Sequence, residues 1–176
     1  MAPIVCIVGG SGSGKTTYLE GLIPELTSRG LKVGTIKHHG HDFEMDYPGK
    51  DSWRHKQAGS SIAMISSPSR LGLVMDVDHD HRPDQLAGFF KGMDIILCEG
   101  YKREDKPKVE IFRPDVHSRP FCTGDKNLIA LVTDKEEVDT EVPRFTFSET
   151  RALADFLIER FQLGRDPVSD LGGKQE

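Results

Sequence analysis

The sequence predicts an α/β fold, a largely parallel sheet with helices on both faces, and three stretches predict it. The first is Gly9-Gly10-Ser11-Gly12-Ser13-Gly14-Lys15-Thr16, set between the apolar run Ile4 to Val8 and a helical pattern that begins at Lys15. It satisfies G-x-x-x-x-G-K-[ST] in full, in the strand–loop–helix setting that this pattern requires, so the fold class narrows to a P-loop NTPase. The second stretch, Leu31 to Lys37, reads as a strand that completes a βαβ unit. The third is Asp94-Ile95-Ile96-Leu97-Cys98-Glu99-Gly100, where four apolar residues run up to an acid. That is the form of a Walker B strand, with Glu99 where such proteins usually carry Asp.

Each residue type in the loop has a physical task. Backbone turns closed to a residue with a Cβ bring the N–H groups of Gly10, Ser11, Gly12, Ser13 and Gly14 onto phosphate oxygens, and the helix N-terminus adds the positive end of its dipole. Lys15 neutralises the outer phosphates. Thr16 offers its hydroxyl to Mg²⁺, and Thr17 follows it in the first turn. Glu99, longer than Asp, would reach the same Mg²⁺ through a water; the competing reading is a buried strand that merely ends in an acid. Lys15 and Glu99 are therefore the candidate catalytic residues, and Thr16 and Glu99 the candidate metal pair.

The 176 residues suit one domain, a nucleotide-binding unit over 1–163 followed by a tail over 164–176 that is expected to be disordered. A formal charge of -5 gives no general attraction to nucleic acid or to an anionic membrane. Cys6, Cys98 and Cys122 are few and far apart, without C-x-x-C pairs, and Cys6 and Cys98 read as buried small hydrophobes. The opening Met-Ala-Pro-Ile has no basic leader and no run approaches about eighteen apolar residues, so a cytoplasmic protein is expected.

Beyond the loop, Leu19, Leu22, Ile23 and Leu26 share a helical face, Pro24 predicts a kink or a broken last turn, and Gly30 ends the helix. Lys37 and His38 then arrive at the carboxyl edge of the sheet, where ligands gather in parallel folds. The histidines of Lys37-His38-His39-Gly40-His41-Asp42 allow a zinc site or a polar loop that senses phosphate or Mg²⁺, though no cysteine or spaced carboxylate completes a tetrahedral set. Asp51 is placed as the cap of a short helix, and Ser61 to Ser66 and Leu71 to Val77 as the strands of a hairpin. Asp76 to His81 alternates Asp and His, fits no calcium-loop template, and reads as an acidic loop. Pro83 opens a helix with Leu86, Phe89 and Phe90 on one face.

The segment from Tyr101 to Arg119 is rich in Lys and Arg around the strand-like Val109 to Phe112, either as ordinary surface or as a mobile cover bringing cations to phosphates. Leu128 to Lys135 predicts a buried parallel strand with Asp134 at its carboxyl end, where the acid either reads a base or caps the next turn. Ser148 is expected to cap a last helix that packs Leu153, Phe156, Leu157 and Phe161 inward.

Behind the phosphate loop come, in order, Thr35-Ile36-Lys37-His38 with His41-Asp42, Gly49-Lys50-Asp51-Ser52 through Ala58-Gly59, and Glu99-Gly100-Tyr101-Lys102. With these blocks the chain resembles the molybdopterin-guanine dinucleotide biosynthesis protein B family, the GTP-binding adapters of molybdenum cofactor maturation, over residues 4 to 162. The resemblance implies a P-loop α/β fold, GTP with Mg²⁺, a homodimer and weak GTP hydrolysis. It also implies a partner guanylyltransferase that attaches GMP to molybdopterin, with molybdopterin itself a further candidate ligand. Asp78 to Arg82 and Glu136-Glu137 match no family motif and receive no role.

Two other classes compete. A small-molecule or nucleoside kinase would use the same loop, Glu99 or Asp42 to activate an acceptor, and the Lys102 to Arg113 segment as a lid. A transport or partitioning ATPase is disfavoured, because there is no LSGGQ signature and Gly10-Ser11 stands where partitioning ATPases carry an extra lysine. The usual Asn-Lys-x-Asp guanine reader is absent and Thr133-Asp134-Lys135 stands near its place, which leaves guanine and adenine both open.

Overall fold

The computed structural model describes residues 1–164; the tail expected to be disordered lies, beyond Gly164, outside the described residues. Two compact units are present, one formed by residues 1–38 with 82 onward and the other by residues 39–81.

The larger unit is built on six parallel strands: β1 (Ile4–Val8), β2 (Val33–Lys37), β5 (Ile95–Glu99), β6 (Lys108–Ile111), β7 (Leu128–Val132) and β8 (Arg144–Phe145). Their order is β2-β5-β1-β6-β7-β8, with β1 near the centre. β1, β7 and β5 up to its terminal Glu99 read as unbroken apolar runs because their side chains alternate between two covered faces. On one face Val5, Ile7, Leu97, Val109 and Ile111 pack beneath α1 (Lys15–Thr27) and α4 (Thr150–Phe161), which contribute Leu19, Leu22, Leu26, Leu153, Ala154 and Leu157. On the other, Ile4, Cys6, Val8, Ile96 and Cys98 lie under a shorter layer, in which Ala87 and Phe90 are joined by Tyr101 and Cys122. All three cysteines are free and buried, and burial with Glu110 and Asp125 nearby pushes the Cys122 thiol up to about 12.

Several expectations are corrected in detail. Pro24 does not break the last turn of α1, which continues to Thr27, and Glu20, whose carbonyl has no Pro24 N–H to accept, is an exposed residue. The helix begun at Pro83 is one turn, α3 (Pro83–Leu86), and then tightens into a 3-10 stretch over Ala87–Phe90. That three-residue period aligns Ala87 with Phe90 and leaves Phe89 exposed rather than on a shared face. Ser148 is not the cap of α4; Glu149 occupies that position, and its carboxylate accepts the Thr146 N–H at 2.7 Å.

The largest correction concerns the basic segment after Tyr101. A mobile cover over the whole of it is excluded, because β6 is an interior strand between β1 and β7 with every residue buried. Lys108 is 1% exposed, pairs with Asp125 at 3.0 Å and donates to the Glu104 carbonyl at 2.6 Å. Glu110 is fully buried, and its two oxygens accept the Phe121 and Cys122 N–H groups at 2.5 and 2.9 Å. Burial of charge on this scale is tolerable only with such partners.

The smaller unit contains α2 (Asp51–Gln57) and the antiparallel hairpin of β3 (Ile62–Ser66) and β4 (Leu71–Met75). Lys50, not Asp51, holds the cap position of α2; Asp51 opens its first turn, where a carboxylate still complements the helix dipole. The pairing of Ile62 with Met75 and Met64 with Leu73 places Ile62, Met64, Leu71 and Met75 on one hairpin face, and all four are exposed. His79 stacks on His81 and meets Asp78 at 2.5 Å, while His39 contacts the His41 carbonyl at 3.1 Å. Among the described residues no group of three or more His, Cys, Asp or Glu is arranged to hold a metal ion.

Candidate functional site

Parallel strands all present their carboxyl ends to one edge, so the fold determines what surrounds the loop after β1. Its two neighbours in the sheet are β5, which ends at Glu99, and β6, which leads into Arg113.

The loop closes on itself through Ser13 N–H to the Gly10 carbonyl at 3.3 Å, and Gly9, Gly12 and Gly14 all hold positive φ, at 142, 75 and 91°. Gly14 occupies the position before α1, and its carbonyl accepts the Tyr18 N–H at 2.9 Å. Lys15 folds back so that Nζ donates to the Gly9 and Gly10 carbonyls at 3.1 and 2.8 Å. Burial lowers the Lys15 pKa, opposed by the Glu99 charge. A lysine kept partly desolvated in this way gains from an arriving anion. Ser13 is fully buried with its hydroxyl unpartnered, whereas Ser11, Thr16 and Thr17 are exposed.

The two motifs meet directly. Thr16 Oγ1 donates to both Glu99 oxygens, at 3.0 and 2.9 Å, across the boundary between β1 and β5. Lys37, at the end of β2, reaches Glu99 Oε1 at 3.4 Å. The His38 N–H donates to the Glu99 carbonyl at 2.9 Å, and its ring stacks on Tyr101 with centroids 4.3 Å apart. Lys15, Thr16, Lys37, His38 and Glu99 are thus brought together as the spacing of the motifs requires.

Asp134 sits two strands away and is exposed beyond the end of β7. Its Oδ1 accepts the Phe147 N–H at 3.0 Å, which ties the end of β7 to the loop before α4. Three residues at the site were not singled out by sequence reasoning. The Arg113 guanidinium lies over the Phe147 ring at 4.6 Å, and His117 Nε2 lies 3.0 Å from the Ser11 carbonyl. Arg113 was visible only as one of several cations; its place directly after a strand-like run was the available signal.

A hydroxyl and a carboxylate held together beside a glycine-rich loop are hard oxygen donors, a set that fits Mg²⁺ rather than a soft metal. Fold and loop together define a P-loop α/β protein. The chain belongs to the molybdopterin guanine dinucleotide synthesis protein B (MobB) family, whose match spans residues 4–134. It is 35% identical to the molybdopterin-guanine dinucleotide biosynthesis adapter protein of Escherichia coli (strain K12) over 92% of this chain and 95% of that protein. A protein of the same name from Haemophilus influenzae is 37% identical over 88% of this chain and 87% of the relative. The crystal structure of Bacillus subtilis MobB superposes with a TM-score of 0.71 at 29% identity, covering 93% of this chain and 99% of that one.

Proposed function

We propose that this chain is a GTP-binding adapter with slow GTP hydrolysis, serving a guanylyltransferase that attaches GMP to molybdopterin. The observation that carries the nucleotide part is the contact of Thr16 with both Glu99 oxygens beside Lys15. The partner and the pathway rest on the names of the relatives, which are adapter proteins of molybdopterin-guanine dinucleotide biosynthesis. In this reading Thr16 and Glu99 would hold Mg²⁺, which would supply positive charge to the phosphates; Lys15 and the loop N–H groups orient the phosphates, and Lys37 holds Glu99 in place. The exposed apolar face of the hairpin, Ile62, Met64, Leu71 and Met75, supports a homodimer. Among the described residues no helix is long and apolar enough to cross a membrane. The kinase reading loses the middle of its lid, since Lys108–Ile111 form a strand inside the sheet.

Thermal unfolding with GTP, GDP, ATP and ADP, each with Mg²⁺, tests the reading. A ligand at a hundred times its Kd adds about 2.7 kcal/mol of stability. Stabilisation by ATP but not GTP would overturn the guanine assignment.

Two variants refine it. Glu99→Gln keeps the side-chain shape but removes the charge, so the dependence of nucleotide affinity on Mg²⁺ is expected to fall by about tenfold, with metal-free binding little changed. A titration in which Glu99→Gln responds to Mg²⁺ as the parent does removes Glu99 from the metal site. Asp134 is proposed to accept the guanine N1–H and N2–H₂ donors, with one oxygen already engaged by Phe147. Asp134→Asn should then lower GTP affinity and admit xanthosine triphosphate, whose added carbonyl accepts where guanine donates. If Asp134→Asn weakens GTP and ATP equally, its work is to hold Phe147 and the base is read elsewhere.

A further inference from the structure

We infer that Arg113 is a phosphate-contacting arginine, delivered to the loop from the strand on the opposite side of β1 from Glu99; the inference rests on the phosphate-site reading above. Four observations converge. Arg113 follows β6, the neighbour of β1, so the sheet itself brings it to the loop. A Cβ built on Gly14 would lie 3.4 Å from a terminal guanidinium nitrogen of Arg113, which places the cation at the start of α1. The guanidinium rests on the Phe147 face at 4.6 Å, and Phe147 is itself fixed by Asp134 and by an edge contact with Tyr18 at 6.2 Å. No carboxylate or carbonyl among the described residues takes its hydrogen bonds, although Arg29, Lys37, Lys56, Lys106 and Lys108 all pair with acids.

The segment that carries it is anchored at both ends. Val116 and His117 N–H groups donate to the Arg113 carbonyl at 3.1 and 3.0 Å, forming a tight turn. His117 reaches the Ser11 carbonyl, and the buried Glu110 carboxylate holds the chain again at Phe121 and Cys122. A fixed turn that aims a planar cation with unspent donors at a phosphate loop fits a polyphosphate anion. Guanidinium offers a fork of donors to two phosphate oxygens at once, and stacking on an aromatic ring leaves those in-plane donors free. Lys15 and Arg113 would then meet the phosphates from the loop and from β6, with Thr16 and Glu99 on the β5 side.

Calorimetric titration with Mg²⁺-tripolyphosphate, which has phosphates but no base, separates this inference from the choice of nucleotide. Arg113→Ala is expected to weaken tripolyphosphate and GTP alike by about ten- to a hundredfold, and Arg113→Lys to recover only part, because lysine lacks the planar fork. Phe147→Leu should weaken binding when Arg113 is present and change nothing further in the Arg113→Ala background, as coupled residues do. Arg113 is exposed, so the unfolding midpoint should stay at the parental value and certify the fold. An Arg113→Ala protein that binds tripolyphosphate as the parent does overturns the inference. If only the GTP assignment is wrong, the parent prefers another base and the loss on Arg113→Ala remains. A parent that binds no polyphosphate overturns both.

Discussion

Replacing Lys15 with alanine is expected to lower triphosphate affinity by about a hundredfold or more while the protein stays folded. The two effects separate because of where the ammonium is held. Its partners in the protein are the Gly9 and Gly10 carbonyls, both in the loop and neither in the core. Losing two such bonds costs folding about 1 to 2 kcal/mol, since loop carbonyls can turn to water instead. Losing the cation from the phosphate site removes its charge-assisted bonds, and Arg113, held on the Phe147 ring, would keep contacts of its own rather than make those of Lys15. Lys37 is engaged with Glu99, and Lys15 is the cation at the first turn of α1. Burial already depresses the Lys15 pKa, so the site holds this charge at a cost that phosphate binding relieves. Calorimetry of GTP binding to the folded Lys15→Ala variant checks the expectation, and an unchanged affinity would remove the phosphate loop from the function altogether.

What could be read in the sequence was what local patterns encode. β1, β5 and β7 announce themselves because strands covered on both faces need continuous apolar runs, and the loop after β1 because its glycines, lysine and threonine have one arrangement. β6 was half hidden because two of its buried residues are Lys108 and Glu110. Their burial depends on Asp125 and on the N–H groups of Phe121 and Cys122, partners in a later loop that no short window contains. β8 has two residues, too few to show alternation, and Phe89 was misplaced because a 3-10 turn follows a different period from a helix.

The site divides in the same way. Thr16 and Glu99 could be paired from motif logic before their contact was seen, because a strand-end acid beside β1 has little else to face. Arg113 and Phe147 could not, since one follows β6 and the other precedes α4, and only the closed sheet edge brings ring and guanidinium together. Asp134 carried two meanings in the sequence; its bond goes to the Phe147 N–H, 13 residues on, so it ties two loops together rather than capping the turn after β7.

Gly9→Ala is expected to be the most damaging small substitution in the loop, for reasons of backbone contact rather than chemistry. Gly9 follows Val8, which is in register with Glu110, so it lies beside Ile111 at the end of β6. A Cβ there would sit 2.3 Å from the Ile111 carbonyl oxygen and 2.8 Å from Ser13 Oγ, at a φ of 142° that L-residues rarely adopt. The carbonyl is part of an interior strand and cannot rotate away, so either β6 or the loop must shift. Overpacking of this kind costs about 1 to 3 kcal/mol, and the strained φ adds about 1 to 3 more. The sum predicts a fall in the unfolding midpoint of about 4 to 24 °C for a chain of this size. Gly10→Ala supplies the contrast. Its Cβ would meet His117 Nε2 at 1.8 Å, a closer approach on paper, but the obstacle is the end of a side chain that can swing out. Gly10→Ala should therefore unfold within a few degrees of the parent and lose the His117 contact with Ser11, whereas Gly9→Ala should also loosen the Arg113 turn that β6 carries. Thermal unfolding of the two variants side by side decides the matter: equal midpoints, or a less stable Gly10→Ala, would show that the end of β6 gives way as easily as a histidine ring.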